Sequence, residues 1–253
     1  MGSQVVQGLF LLVAGIVAGT AGSAGAIASL ISYPALLAIG LPAVPANIAN
    51  SVAAVAIGVG STPASRPELK GSGRQLWKLS VVAAVGAATG AALLLITPNG
   101  IFEWIVPFLI AGGALALLLQ PKLSVSHAHL VSDRDAVLRF GLFAVAGYNG
   151  YFGAGSGIMM LALLIFTLEG DLPRANAIKN VLLAAGEVVV AIGFIVFGSV
   201  PWGAVIPLAI GFLVGGAIGP AVVRRLPVAK LRVLIAAAGF GLAAWLLFVA
   251  ARG

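Results

Sequence analysis

The fold class predicted is an all-α polytopic membrane protein, made of two inverted five-segment repeats that each open with a Gly-rich re-entrant or broken helical hairpin. Three observations predict it. Of 253 residues, 61% are hydrophobic and only 8% charged, with a mean hydropathy of +1.14, whereas a soluble globule uses about 25% charged residues. Apolar stretches of membrane-helix character recur along the whole chain. They also fall into two sets of five that align when the chain is slid along itself by about 130 residues.

The elements follow from the interruptions, with residue limits approximate. In the first half the segments run over about 5–19, up to a glycine cluster, then about 25–40, 44–61, 78–97 and 102–119, the last two joined by the uncharged Pro98-Asn99-Gly100 turn. In the second half they run over about 137–152, again up to a glycine cluster, then about 156–169, 174–199, 203–223 and 231–249. The 130-residue offset pairs Gly25 with Gly155, Gly40 with Gly170, Asn50 with Asn180 and Gly86 with Gly216. The expected organisation is therefore a first repeat over 1–125 and a second over 126–253, packed about a pseudo-two-fold axis.

The formal net charge of +7 could suggest nucleic acid, but its distribution argues for a membrane. Eleven of the 14 Lys and Arg residues lie in three groups: Arg66, Lys70, Arg74 and Lys78; Lys122, Arg134 and Arg139; and Arg224, Arg225, Lys230 and Arg232. Basic residues gathered into short loops between apolar spans mark cytoplasmic loops. The chain has no cysteine, which excludes disulfides and thiolate sites. The start, Met1-Gly2-Ser3-Gln4, lacks a basic n-region, so no removable signal peptide is expected.

Parity sets the orientation of the repeats. If all three basic groups are inside, segments six and seven leave from Arg139 and return near Arg174 on the same side. Those segments share about 34 residues, which as one helix would span roughly 51 Å against a hydrocarbon core of about 30 Å. A hairpin of shortened helices, with its tip inside the membrane, is the economical solution. Segments one and two are of similar length, and an odd number of segments per repeat makes the two hairpins enter from opposite faces.

The tips, Gly19-Thr20-Ala21-Gly22-Ser23-Ala24-Gly25 and Gly150-Tyr151-Phe152-Gly153-Ala154-Gly155-Ser156-Gly157, are dense enough in glycine to be expected to break the helix. Non-helical backbone at membrane depth is tolerated where it is buried in protein or lines a cavity. A helix beginning beyond each tip would turn its free N–H groups and positive dipole end toward the middle of the membrane, which is an anion site. The expected substrate-binding set in the tips is Gly22, Ser23, Ala24 and Gly25 with Gly153, Gly155, Ser156 and Gly157. The competing reading is that these glycines only permit close helix packing.

Three stretches carry a resemblance: the tip followed by Ser32-Tyr33-Pro34-Ala35-Leu36-Leu37-Ala38-Ile39-Gly40-Leu41-Pro42; its second copy at Gly153 to Ile158; and Gly211, Gly215 and Gly219 leading to Arg224-Arg225-Leu226-Pro227. Over about residues 8 to 249 the chain resembles the sulfite exporter TauE/SafE family. The resemblance implies a membrane permease for sulfur-containing oxyanions or organosulfonates such as sulfite or sulfoacetate.

The third helix of each repeat carries polar residues in an apolar background. Asn47, Asn50 and Ser51 follow Pro45, and Asn176, Lys179, Asn180 and Glu187 occupy the equivalent helix. Asn176, Asn180 and Glu187 share a stripe at spacings of four and eleven residues. Asn50 and Asn180 are candidate donors to substrate oxygens, with interhelical bonding the alternative. Lys179 either supplies positive charge at the site or snorkels to the interface. Glu187 is the acid that must sit deep in the bilayer, where an ionisable group costs about 2.5–3.5 kcal/mol even on lenient scales. It is the candidate for proton coupling, the alternatives being a bond to a neighbouring helix or pairing with Lys179. Tyr33, Tyr151 and Phe152 lie near the tips and could gate access. His127 and His129, with Asp133 and Asp135, read as a solvated loop rather than a metal site.

The sequence therefore predicts a multi-pass protein of the bacterial cytoplasmic membrane that carries a small anion by alternating access, coupled to a proton or sodium ion, and the resemblance implies that the anion contains sulfur. An anion channel with the same midplane site is the alternative. No catalytic set, metal, organic cofactor or nucleic-acid partner is expected, and the oligomeric state is open.

Overall fold

The computed structural model describes residues 2–25, 27–123, 134–168, 172–223 and 228–250. Ten α-helices account for nearly all of them: α1 (Gly2–Gly25), α2 (Ser29–Ala38), α3 (Ala43–Ala64), α4 (Gly73–Ile96), α5 (Asn99–Leu123), α6 (Arg134–Tyr151), α7 (Ser156–Thr167), α8 (Leu172–Phe197), α9 (Trp202–Val223) and α10 (Val228–Ala250). Each of the ten apolar segments read from the sequence is one helix. Stretches within α1, α3, α4, α8 and α9 are long and apolar enough to cross a membrane. The basic group Arg224–Arg225 and the His127–Asp133 loop lie outside the described residues.

The opening helix pairs differ from their expected form in two ways. The stretch Gly19–Gly25 does not break the first helix: α1 remains helical through Gly25. Its small residues instead serve packing, since a Cβ on Gly19 would lie 2.8 Å from the Phe212 carbonyl oxygen of α9. Nor are both helices of each opening pair short. α1 has 24 residues and α6 has 18, whereas α2 has 10 and α7 has 12. At 1.5 Å per residue, α2 and α7 span only about 15 and 18 Å. The shortening sits entirely in the second member of each pair.

The second tip does break, over a narrower stretch than expected. α6 runs to Tyr151, and the N–H groups of Phe152 and Gly153 both return to the Tyr148 carbonyl at 3.0 and 3.2 Å. Gly153 and Gly155 then adopt φ of +85° and +78°, a left-handed region that side chains with a Cβ rarely enter. From Gly155 the chain re-enters a helix at Ser156.

The helices assemble through backbone-close contacts. α1 packs on α9 and α4 on α6; α3 touches both α8 and α9; α4 also touches α8; and α5 packs on α10. Register gives the directions. Gly86 faces Phe143 and Ala146, and Gly90 faces Gly147 and Tyr151, so α4 and α6 run parallel. Gly15 faces Leu208 and Gly211, and Gly19 faces Phe212 and Gly216, so α1 and α9 also run parallel. Arg174, at the start of α8, donates from Nη2 to Ser72 Oγ at 3.0 Å. The first turns of α4, α6 and α8 thus lie at one end of the molecule, bringing Arg74, Lys78, Arg139 and Arg174 together as the loop charges anticipated.

Candidate functional site

Several polar side chains of α3 and α8 face the ends of the long opening helices or the cavity between them. A helix ends with carbonyls that have no intrahelical partner, and buried carbonyls need donors. At the end of α1, Asn176 Nδ2 and Asn180 Nδ2 donate to the Ser23 carbonyl at 3.1 and 3.2 Å, and Lys179 Nζ donates to the Gly22 carbonyl at 3.3 Å. At the end of α6, Asn47 Nδ2 donates to the Tyr151 carbonyl at 2.9 Å. Third helices therefore cap the first helix of the opposite half of the chain. Lys179 is fully buried, so it does not snorkel, and its ammonium meets a backbone carbonyl rather than Glu187. A cation at a helix C-terminus also opposes the negative end of the dipole.

These caps differ in redundancy, and their removal should reveal it. Asn47→Ala leaves the Tyr151 carbonyl without its side-chain donor and should destabilise the protein by about 1–3 kcal/mol. Asn176→Ala should cost less, because Asn180 still reaches Ser23. Thermal unfolding of the purified variants checks the order, and equal losses would contradict a capping role.

Asn50 is engaged within its own half. Its Nδ2 donates to Ser29 Oγ at 3.0 Å, and its Oδ1 accepts from Ser32 Oγ at 2.5 Å. This is interhelical bonding between α2 and α3, and Asn50 is set back from the cavity.

The cavity itself occupies about 60 Å³, against the roughly 10–15 Å³ that one water requires, so it has room for a small oxyanion. Of the residues singled out from sequence, Gly22, Gly153, Ser156, Gly157, Asn180 and Glu187 line it. Among the described residues, Ser23, Ala24, Asn50, Gly155 and Lys179 are not part of its lining, and the surroundings of Gly25 lie outside what is described. Sequence reasoning missed Ser29, Ser61 and Asn149, which are part of the wall. Ser29 begins α2 and Ser156 begins α7, so two helix N-termini meet the cavity. Among the described residues, none that lines it is basic.

A polar chain crosses one side of this space. Asn149 Nδ2 donates to Glu187 Oε1 at 2.9 Å. Ser156 Oγ lies 2.5 Å from Asn149 Oδ1 and 2.7 Å from the Gly153 carbonyl, and its one proton can serve only one of them at a time. Ser61 Oγ and Glu187 Oε2 are shielded from solvent and have no partner among the described residues. A buried polar atom without a partner needs a ligand or a water. The glycine-rich tip signalled the location, but nothing in sequence distinguished Asn149 from other polar residues near it.

Tyr33, Phe102 and Phe152 form an edge-to-face cluster, with Tyr33 and Phe102 at 5.1 and 6.0 Å from Phe152. Phe102 also meets Tyr151 at 5.7 Å. They pack behind the 152–155 turn and outside the cavity wall.

The description "Sulfite exporter TauE/SafE" applies to the family whose profile matches residues 8–246. A probable membrane transporter protein of Haemophilus influenzae is 29% identical over 196 residues, covering 75% of this chain and 74% of that protein. The probable membrane transporter protein ORF9 of a Sinorhizobium species is 29% identical over 213 residues, covering 83% and 80%. Escherichia coli K12 has the probable membrane transporter protein YfcA, 28% identical over 213 residues, covering 82% and 76%. No solved structure gives a significant match. With a family match over nearly its whole length and apolar helices throughout, the chain is a multi-pass cell-membrane protein that belongs to the sulfite exporter TauE/SafE family.

Proposed function

We propose that this protein is a secondary transporter that moves a small anion, sulfite or an organosulfonate, across the cytoplasmic membrane by alternating access. The observation that carries this reading is the cavity. It is sized for a small oxyanion, faced by the N-termini of α2 and α7 and by the hydroxyls of Ser29, Ser61 and Ser156. Helix N-termini and hydroxyls donate hydrogen bonds to an anion without a neutralising cation at the site. The names of the relatives and of the family support transport and a sulfur anion.

The binding set we propose keeps Gly22, Gly153, Ser156, Gly157 and Asn180 as wall residues and adds Ser29 and Ser61. Ser23, Ala24, Gly155 and Asn50 act from behind that wall by shaping it. Lys179 acts through Gly22 as a buried positive charge. Glu187, joined through Asn149 to Ser156, carries the coupling proton, so that its protonation state and anion occupancy influence each other.

Two inverted repeats, over 1–125 and 126–253, supply the mechanical basis. What supports them is an exchange relation. Replacing α1–α5 by α6–α10 turns the α1–α9 contact into α6–α4, α3–α9 into α8–α4, and α1–α2 into α6–α7, all of which occur. On this reading α1–α2 and α6–α7 enter from opposite faces as re-entrant pairs.

The test is flux in proteoliposomes preloaded with labelled sulfite. Saturable efflux that responds to an imposed pH or sodium gradient, and that unlabelled sulfite or a sulfonate inhibits, is expected. Flux that rises without saturation and ignores both gradients would assign the same cavity to a channel. Lys179→Met should retain the fold and weaken sulfite binding by on the order of tenfold, the loss of one favourable charge interaction at modest distance. Sulfite titration followed by thermal shift checks it, and unchanged affinity would remove Lys179 from the site.

A further inference from the structure

A second recess lies at the end of the molecule where α4 and α6 begin. Its volume is about 470 Å³, and its walls combine Trp77, Lys78 and Val82 of α4 with Leu138 and Arg139 of α6. Parallel packing creates it. From the close approach at Gly90 and Gly86 the two helices run back to first turns that carry bulky side chains, and the gap opens between them. Trp77 is 73% exposed, and Phe140, next in the chain to Arg139, is 76% exposed, the exposure expected of aromatic residues at a membrane–water boundary. Val81, also in the wall and exposed, continues the apolar surface toward the body of the membrane. The charged residues of the wall are Lys78, Arg139 and Asp135. Arg139 pairs with Asp135 at 4.0 Å with both side chains largely exposed, a weak contact that leaves most of the five guanidinium donors available.

We propose that this groove is a binding site for an anionic phospholipid, whose phosphate bridges Lys78 and Arg139 while one acyl chain lies along Val81, Val82 and Leu138. The match is one of charge and polarity along a single axis: cationic at the end, aromatic at the boundary, apolar beyond it. A soluble anion would use only the first of these. Basic recesses between membrane helices on the cytoplasmic side suit anionic headgroups, with each basic residue contributing on the order of a few-fold in affinity. The site is separate from the central cavity, so it stands whether or not the protein carries sulfite.

The test uses the full chain in nanodiscs of phosphatidylcholine doped with brominated phosphatidylglycerol or with brominated phosphatidylcholine. Trp77 fluorescence, isolated as the difference between the parent and Trp77→Phe, should be quenched preferentially by the brominated phosphatidylglycerol. Lys78→Gln combined with Arg139→Gln should reduce that preference by roughly tenfold, while Lys70→Gln, outside the groove, should retain it. Both substituted residues are exposed, and a common melting temperature in phosphatidylcholine confirms that the fold is intact. Equal quenching by the two lipids, or an undiminished preference in the double variant, overturns the proposal. Competition by inorganic phosphate at matched ionic strength, complete in the absence of any lipid preference, would assign the groove to a soluble anion and overturn it as well.

Discussion

Gly90→Val is expected to abolish the folded protein. A Cβ on Gly90 would sit 1.9 Å from the Gly147 carbonyl oxygen and 2.8 Å from both the Gly147 carbonyl carbon and the Tyr151 nitrogen. All three obstacles are backbone atoms of α6, so no rotamer change relieves the clash. The helices must separate by more than an ångström, and Gly150, whose missing Cβ would meet the Ala87 carbonyl oxygen at 2.1 Å, loses its contact with them. Overpacking a well-fitted core usually costs about 1–3 kcal/mol, and more where the backbone must move. Here a loss above about 3 kcal/mol is expected, seen as disappearance of the monodisperse peak in detergent. Gly193 is also within a long helix but has no atom within 4 Å of its would-be Cβ, and Gly193→Ala should leave stability unchanged or raise it by up to about 1 kcal/mol. If both variants behave alike, close approach is not what α4 and α6 depend on.

Glu187→Gln should uncouple transport from the pH gradient while leaving anion binding in place. The amide is nearly isosteric with the carboxyl, and its oxygen can still accept from Asn149, so the wall beside Ser156 keeps its shape. It cannot take up and release a proton. A single coupled proton converts one pH unit into roughly a tenfold concentration ratio of substrate, about 1.4 kcal/mol. In proteoliposomes the parent should approach that accumulation under a one-unit gradient, and the variant should equilibrate to a ratio near one. Exchange of labelled for unlabelled sulfite with no gradient should persist in the variant. Full gradient-driven accumulation by Glu187→Gln would show that the proton is carried elsewhere or that another ion drives the cycle.

The candidate site was legible from sequence in its location and less so in its members. Glu187 stood out because charge is so scarce that one acid in an apolar helix is conspicuous. Asn180 and the 153–157 tip were likewise marked by chemistry unusual for a membrane helix. Asn50 looked equivalent to Asn180 because the two occupy matching places in the halves, yet Asn50 bonds to Ser29 and Ser32 while Asn180 reaches across to Ser23. Matching sequence positions do not ensure matching partners, since a small rotation of a helix selects which neighbour an amide meets. Ser29, Ser61 and Asn149 went unmarked for the same reason: serine and asparagine in membrane helices more often serve the backbone or a neighbouring helix than a ligand.

Hydropathy alone determined that this chain belongs in a membrane, that it has ten apolar segments and where most of them begin and end. Transfer of a segment between water and lipid depends on its own side chains, so the information is local. Its basic loops likewise predicted that the starts of α4, α6 and α8 share one end of the molecule. Only the tertiary structure decided what the glycines do. Gly19–Gly25 and Gly150–Gly157 read alike as helix breakers, but the first stretch stays helical because α9 packs against its bare backbone, whereas the second turns through positive φ at Gly153 and Gly155. Glycine lowers the barrier to both outcomes, and the choice between them rests on whether another helix fills the space its side chain leaves.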